Sequence, residues 1–183
     1  MTYTVYQHWD PLEVCVVGQA YPPEFYSWIK DSNTRKKFEQ VAQETEQDFQ
    51  TLITLLESFD VEVLRPGIPD TFDDCMIDGV WVPPPVTPRD YFIQIHDKLW
   101  VCTEPNANHA HNAFKKQKAK TWKEFQAHDQ AKHDRKLKFY ADIFKRCNVQ
   151  ETTCSYISGC FVSRIGNDLF FATQTIFDDW DAI

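Results

Sequence analysis

The stretch that decides the fold is IHDKLWVCT, residues 95–103, because a stretch of the same kind occurs 70 residues later in the same chain. The second copy is IGNDLFFAT, residues 165–173, and the two agree in residue type along their length. Each contains a polar turn followed by an apolar run, and each is preceded by another apolar run, which is typical of a β-hairpin. The sequence therefore predicts two equivalent hairpins, with strands at 91–95, 99–103, 156–163 and 169–173.

The segment before the first hairpin predicts a strand, a helix and a second strand. Residues 13–18, EVCVVG, form a short β-branched run that ends in glycine, as buried strands do. From residue 34 onward apolar positions recur at spacings of three and four, which predicts an amphipathic helix; they are Phe38, Val41, Thr45, Phe49, Leu52, Ile53, Leu56 and Phe59. Asp60 then turns the chain into an alternating strand at 61–64, and the prolines of residues 66–88 predict a long surface loop.

The segment before the second hairpin, residues 114–146, is strongly basic. It contains eleven basic and four acidic residues, so its charge is +7 and that of the rest of the chain is −15. Its apolar residues fit one side of one helix or of two consecutive helices; they are Trp122, Phe125, Leu137, Tyr140, Ile143 and Phe144. The lysines form either a solvated helix face or a surface that binds a polyanion.

The order of elements indicates an α/β protein in which a helix, strand and hairpin unit is used about twice. Repeat units bury their apolar faces against neighbouring repeats, so two units would leave one apolar side open. We therefore expect the chain either to assemble with a partner or to be incomplete. We expect residues 1–183 to form a single domain, in which residues 114–146 are a basic, insertion-like helical segment.

Composition excludes several classes of protein. With 183 residues, of which 43% are hydrophobic and 25% charged, the chain is too apolar to be intrinsically disordered. A net charge of −8 argues against a general nucleic-acid binder. Neither a membrane-spanning apolar run nor a signal-peptide pattern is visible in the sequence, so we expect a cytoplasmic protein with no membrane partner. Free thiols are expected for the six scattered cysteines, which are Cys15, Cys75, Cys102, Cys147, Cys154 and Cys160.

Three stretches of the sequence resemble the glycine and inosamine amidinotransferases. HWDPLEVCVVG, residues 8–18, resembles the opening of that family, and residues 34–66 resemble the part that follows. Pro88-Arg89-Asp90, directly before the first hairpin, resembles the family's Pro-Arg-Asp motif. The resemblance extends to about residue 101 and returns faintly over 154–173, so it covers the N-terminal portion of the family. It implies a pentein fold of five αβ units around a central site, of which this chain would form a partial propeller of about two repeats.

The resemblance also implies a reaction. The family transfers the amidino group of arginine to an amine acceptor such as glycine, through a covalent intermediate on a cysteine. Asp90 would be the carboxylate that binds the guanidinium of arginine or of another guanidino compound, with Arg89 beside it in the substrate site. A carboxylate suits a guanidinium because the two form paired, charge-assisted hydrogen bonds. The alternative is that Asp90 caps a turn or pairs with Arg89.

Other parts of the family's machinery have no counterpart in this sequence. The family has a second acidic cluster upstream of the second hairpin, where this chain has Ile157-Ser158-Gly159-Cys160-Phe161. The family's catalytic histidine and cysteine come later than Ile183. The repeat offset of 70 takes Asp90 to Cys160, which makes Cys160 the local candidate for a thiol nucleophile. A buried structural cysteine is the alternative, because no histidine near it in sequence would activate it.

No cofactor is expected, and the sequence contains one candidate metal site. His109 and His111 lie on the same side of an extended segment near Cys102, and such a group binds Zn²⁺ when a further ligand is added. Histidines in polar loops usually bind nothing, so no metal is assigned.

The sequence therefore leads to two main hypotheses. The first is an amidinotransferase-like protein that binds a guanidino compound through Asp90 but is incomplete or inactive alone, with a complementing chain supplying the missing groups. The second is a non-catalytic module that forms a homo-oligomer through its open side. A third hypothesis is that residues 114–146 bind a polyanion. It predicts that the binding affinity falls steeply as the salt concentration rises.

Overall fold

The computed structural model describes residues 10–77, 80–102, 122–152, 162–165 and 168–171. The chain divides into two compact units. One consists of Pro11–Pro88 with Phe139–Ile143, and the other contains Arg89–Lys138 and the described residues from Phe144 onward. The single domain expected over residues 1–183 stays a prediction, and so does the insertion-like character of residues 114–146.

The first unit contains a βαβ crossover. β1 (Val14–Val16) and β2 (Glu62–Leu64) pair in parallel, with Val14 opposite Glu62 and Val16 opposite Leu64. α1 (Ser32–Glu57) lies in the connection between them, because two parallel strands can be joined only by a long crossover. These three elements confirm the strand, helix and strand predicted from the sequence.

Asp31 caps the start of α1, and Asp60 turns the chain beyond its end. The Asp31 carboxylate accepts a hydrogen bond of 2.8 Å from the Thr34 amide, which satisfies one of the amides that a helix start leaves unpaired. Beyond the helix, Asp60 has a φ of 60°, a left-handed conformation that aspartate adopts more readily than most residues. The turn predicted at Asp60 is therefore confirmed.

The packed face of α1 differs from the predicted one. Ala42 is buried, and Phe49, Ile53 and Leu56 are half-buried. Four of the apolar positions of the predicted amphipathic helix are exposed instead, namely Phe38, Val41, Leu52 and Phe59. The packed face is centred nearer to Ala42 and Ile53, so Val41 and Leu52, at the other edge of the apolar stripe, stay exposed.

Aromatic side chains form the core of the first unit. Tyr21 is 1% exposed, and its ring centroid lies 5.5 Å from that of Phe25, 6.1 Å from Trp81 and 6.4 Å from Phe139. The Tyr21 hydroxyl donates a hydrogen bond of 3.0 Å to the carbonyl of Val82, so this buried polar atom is satisfied. The core thus joins the chain before α1, the proline-rich segment and residues 139–143.

The described part of the proline-rich residues 66–88 is mostly the loop that the sequence predicts, but it is partly buried rather than confined to the surface. It contains β3 (Met76–Ile77), which pairs antiparallel with β4 (Val80–Trp81). Burial extends through the segment to Pro66, Cys75, Val82 and Pro85. Proline has no amide hydrogen, so a buried proline leaves no unpaired donor, and the segment supplies core residues without a long regular element.

The second unit contains a three-stranded sheet. β5 (Phe92–Ile95), β6 (Lys98–Cys102) and β7 (Asn148–Thr152) lie in that order, with β5 antiparallel and β7 parallel to β6. The chain between β6 and β7 contains α2 (Trp122–Lys138) and α3 (Ala141–Phe144), which confirms two consecutive helices in the basic segment. No helix within the described residues is long and apolar enough to cross a membrane.

The two hairpins have the same strand register. In the first, Phe92 is opposite Val101 and Ile95 is opposite Lys98. In the second, formed by β8 (Val162–Ile165) and β9 (Asp168–Phe171), Val162 is opposite Phe171 and Ile165 is opposite Asp168. Every residue of the second set lies 70 positions beyond its counterpart, so the duplicated hairpin predicted from the sequence is confirmed.

Candidate functional site

Asp90 lies on a short 3₁₀ turn, Pro88–Asp90, directly before β5. Proline suits the first position of such a turn because its ring fixes φ and it has no amide hydrogen that needs a partner. Arg89 and Asp90 are both exposed. β5 is the outer strand in the order β5, β6, β7, so the turn carries the carboxylate at the margin of this sheet.

Tyr91 connects this turn to helix α2. The Lys136 ammonium donates a hydrogen bond to the Tyr91 hydroxyl, and the Lys136 nitrogen also lies 5.1 Å from the centroid of the Tyr91 ring. The ring of His133, one turn earlier on α2, has its centroid 5.9 Å from that of Tyr91. A basic helix is therefore docked on the residue that follows Asp90.

Sequence reasoning did not predict Tyr91, His133 or Lys136 as site residues. Tyr91 and Lys136 are 45 positions apart, and a basic helix face is usually solvated. The sequence feature that could have indicated this contact is the aromatic residue directly after the Pro-Arg-Asp motif, Tyr91. An exposed tyrosine commonly receives a cation on its ring face or at its hydroxyl.

Apolar packing holds the strand that follows the site. Phe92 is buried, and its ring centroid lies 5.7 Å from that of Phe144 in an edge-to-face arrangement, which is a favoured geometry for aromatic pairs. Leu99 and Val101 of β6 are also buried. The main chain just beyond Asp90 is therefore fixed on both sides, by α2 at Tyr91 and by the core at Phe92.

Cys160, the candidate thiol, lies outside the described residues, and so do His109 and His111. Burial raises the pKa of the Cys15 thiol. Burial also raises the pKa of Cys147, against a smaller opposing effect of the Arg146 charge. Thiols with a raised pKa are poor nucleophiles at neutral pH. Within the described ranges, no group of three histidine, cysteine or acidic residues is placed to hold a metal ion.

A carboxylate–guanidinium pair is already present in the first unit. Glu46 accepts hydrogen bonds of 3.1 and 2.9 Å from the two terminal nitrogens of Arg65, and the Arg65 guanidinium lies 5.7 Å from the Phe49 ring centroid. Burial opposes ionisation of Glu46, but hydrogen bonds from Arg65 and Gln50 outweigh it, so its pKa is lowered. This pair joins α1 to the chain after β2 and is part of the fold.

The chain is similar to solved structures of two amidinotransferases. No family model and no curated protein matches the chain. A solved structure of SxtG, an amidinotransferase from Microseira wollei in the saxitoxin biosynthetic pathway, matches 92% of this chain and 54% of its own, with a TM-score of 0.54 and 16% identity. The inosamine-phosphate amidinotransferase StrB1 from Streptomyces griseus matches over the same shares, with a TM-score of 0.49 and 16% identity.

The chain therefore shares the α/β fold of the matching part of SxtG, and the resemblance predicted from the sequence is confirmed at the level of the fold. The chain spans about half the length of these two solved structures, 54% of each. The arrangement of its repeats as a partial propeller stays a prediction, and so do the roles of Arg89, Asp90 and Cys160.

Proposed function

We propose that this chain is an amidinotransferase-like protein in which Asp90 binds the guanidinium group of arginine or of another guanidino compound. The observation that carries the proposal is the placement of Asp90, which is exposed on a turn whose following residues, Tyr91 and Phe92, contact α2 and α3. A fixed main chain lowers the entropy lost when a ligand is bound. The Pro-Arg-Asp motif and the amidinotransferase fold support the same function.

The Asp90 carboxylate should bind a planar guanidinium in preference to a simple ammonium. A guanidinium presents parallel N–H donors that match the two oxygens of one carboxylate. The Glu46–Arg65 pair of this chain has that geometry, with both bonds near 3 Å. We expect Asp90 to bind a substrate guanidinium in the same way, and Arg89 to contribute to the same substrate site.

The reaction that we propose for the complete site is transfer of an amidino group to an amine acceptor such as glycine. A thiolate would attack the guanidino carbon, and the amine of ornithine would leave with a proton. The acceptor amine would then attack the amidino–thiol intermediate and return the thiolate. None of the described residues takes the role of the nucleophile or of the histidine, so we expect the isolated chain to bind without turnover and a complementing chain to supply them.

Calorimetric titration of the chain with arginine tests this proposal. Saturable binding that is competed by free guanidinium ion is the expected result. A chain that shows no heat of binding with arginine at millimolar concentration has no guanidinium site, and the proposal is then wrong. Incubation with labelled arginine and glycine tests the second part, because transfer by the isolated chain would contradict our expectation that a complementing chain is needed for turnover.

A second function, assembly of identical chains, is favoured by the outer side of α1. Val41 is 58% exposed, Leu55 is 54% exposed, and Phe59, just beyond the helix, is 71% exposed. Val41, Leu52 and Leu55 share one side of the helix by their spacing, and we call these three residues together with Phe59 the outer α1 face. Contiguous exposed apolar side chains commonly mark a contact surface.

The partner that we propose for the outer α1 face is a second copy of the chain. In an antiparallel pair of α1 helices whose outer α1 faces overlap, Val41 of one copy would lie opposite Leu55 of the other, and Leu55 opposite Val41. A two-fold dimer requires a surface that is complementary to itself in this way.

A further inference from the structure

Three cations of helix α2 have no acidic partner in the described part of the chain. Lys132, Arg135 and Lys138 follow one another at intervals of three residues, so neighbouring members lie on adjacent turns of the helix. None of the described residues forms an ion pair with any of the three. Asp134, four residues before Lys138, instead accepts a hydrogen bond of 2.7 Å from Gln130. We call the three cations the α2 cation row.

Arg135 is the member of the row whose surroundings call for a partner. It is half-buried, and its Nε atom is inaccessible to solvent and has no hydrogen-bond acceptor among the described residues. Arg65 is a reference within the same chain, because its Nε is buried in the same way, yet its two terminal nitrogens bind Glu46. A charge that loses hydration without gaining a partner costs free energy. A carboxylate from a partner molecule would do for Arg135 what Glu46 does for Arg65.

The length of the α2 cation row decides which kind of polyanion it fits. At a rise of about 1.5 Å per residue, the three positions span about 9 Å of helix, which is too short to neutralise the roughly six or more phosphates of a typical nucleic-acid contact. The net charge of the whole chain, −8, also repels a long and uniformly charged polymer. Carboxylates at helical spacing recur at steps of about 4.5 to 6 Å, as the cations of the row do. The row therefore fits a short acidic helix better than a nucleic acid.

We propose that the α2 cation row is a docking surface for an acidic helical segment of a partner protein. One carboxylate of that segment binds the terminal nitrogens of Arg135, and others lie beside Lys132 and Lys138. A guanidinium donates two parallel hydrogen bonds to one carboxylate, so Arg135 sets the orientation of the partner. The lysines supply charge without fixed geometry and act mainly on the rate of encounter. The docking surface does not involve Asp90, so it is independent of the proposed function.

The simplest alternative is that the α2 cation row is only a solvated helix face. Exposed charges of that kind contribute little to any one contact, and a polyanion would then sense only their number. Arginine and lysine would be interchangeable at every position of the row. A docking surface instead makes Arg135 more important than either lysine, and makes its forked geometry important in addition to its charge.

Fluorescence anisotropy tests the proposal with the full chain and a labelled alanine-based peptide that has glutamate at every third or fourth position, about 20 residues long so that it is helical. Arg135→Gln should raise the dissociation constant about 10-fold or more, because charged hydrogen bonds are lost. Lys132→Gln and Lys138→Gln should each raise it less than about fivefold. Arg135→Lys, which keeps the charge but not the fork, should recover only part of the affinity. The same peptide with glutamine in place of glutamate should not bind.

Lys36→Gln is the matched control, because Lys36 is an exposed lysine of α1 and its removal should leave the dissociation constant unchanged. Urea unfolding checks that Arg135→Gln is folded, and Arg135→Lys carries the comparison if it is not. Equal affinities of Arg135→Lys and the wild-type chain would overturn the proposal, and so would equal binding of the glutamate and glutamine peptides. Tighter binding of an oligothymidine of about 20 nucleotides than of the acidic peptide would also overturn it, because the row would then be a nucleic-acid site.

Discussion

A methyl group added to Gly18 would lie 2.3 Å from the carbonyl oxygen of Val86. The chain that leaves β1 therefore passes directly against the main chain of the proline-rich segment. The adjacent amide, that of Gln19, donates a hydrogen bond of 3.1 Å to the carbonyl of Pro85. Gly18 is needed because the two backbones are too close for any side chain between them.

We expect Gly18→Ala to destabilise the fold. The methyl group meets main-chain atoms, which cannot move aside as a flexible side chain can, so the cost should be about 1–3 kcal/mol, typical of overpacking. Urea unfolding measures the change. Gly67→Ala is the matched control, because its methyl group would lie 3.9 Å from the nearest atom, the Phe139 carbonyl oxygen. An equal loss for both variants would show that the close approach at Gly18 is not the cause.

The Glu46–Arg65 pair should make stability depend on pH. The pKa of Glu46 in the folded state is lowered, since hydrogen bonds from Arg65 and Gln50 outweigh burial. A lowered pKa gives stability that is fully present above the unfolded pKa, about 4.3, and is lost as the pH falls through the folded value. Glu46→Gln should therefore lower stability at pH 7 and have little effect once the pH lies below the folded pKa of Glu46.

The loss of stability caused by Glu46→Gln at pH 7 should be modest. The Glu46 side chain is 36% exposed, and solvent screens such pairs. Urea unfolding at several pH values measures it. Glu44→Gln, a change at an exposed position of the same helix, is the control. A stability difference that is independent of pH would contradict the assignment.

Asp90→Asn should abolish most of the affinity for arginine. Asparagine keeps the size of the side chain but offers one acceptor and no charge, and charged hydrogen bonds contribute about 1.5–3 kcal/mol. The dissociation constant should therefore rise roughly 10- to 100-fold, as measured by calorimetry. Asp168→Asn removes the same charge from an exposed position of the second hairpin, and it should bind arginine as the wild-type chain does.

Leu55→Glu should convert a self-associated chain into a monomer. A carboxylate at the centre of an apolar contact loses its hydration without gaining a partner, so light scattering at micromolar concentration should report half the mass. Gln43→Glu adds the same charge on another side of α1, where Gln43 is exposed, and should leave the mass unchanged. A wild-type chain that is monomeric under these conditions would refute assembly through the outer α1 face.

The sequence predicted the elements of the fold better than it predicted which surfaces pack. β1, α1, β2 and the two hairpins follow from local apolar patterns, since these patterns reflect the period of each element. The packed face of α1 does not follow from the sequence, because the apolar positions span a broad stripe of the helix, and contacts with residues distant in the sequence set which part of that stripe packs.

The candidate site was predicted only in part for a similar reason. Asp90 could be proposed from the sequence because the Pro-Arg-Asp motif is contiguous. Tyr91 and Lys136 meet across 45 positions, and no local pattern encodes that contact. The burial of Pro66 and Pro85 was also missed, because prolines usually indicate turns at the surface.

The common register of the two hairpins makes their backbones interchangeable. All four residue pairs of one recur in the other after a shift of 70, so a strand transplanted between them would keep each side chain on its original face. The turn of the first hairpin uses His96 in a left-handed conformation, with φ at 53°, and the position 70 residues later is occupied by Gly166. The shared strand register is what tandem copying of an ancestral gene segment would leave within one polypeptide.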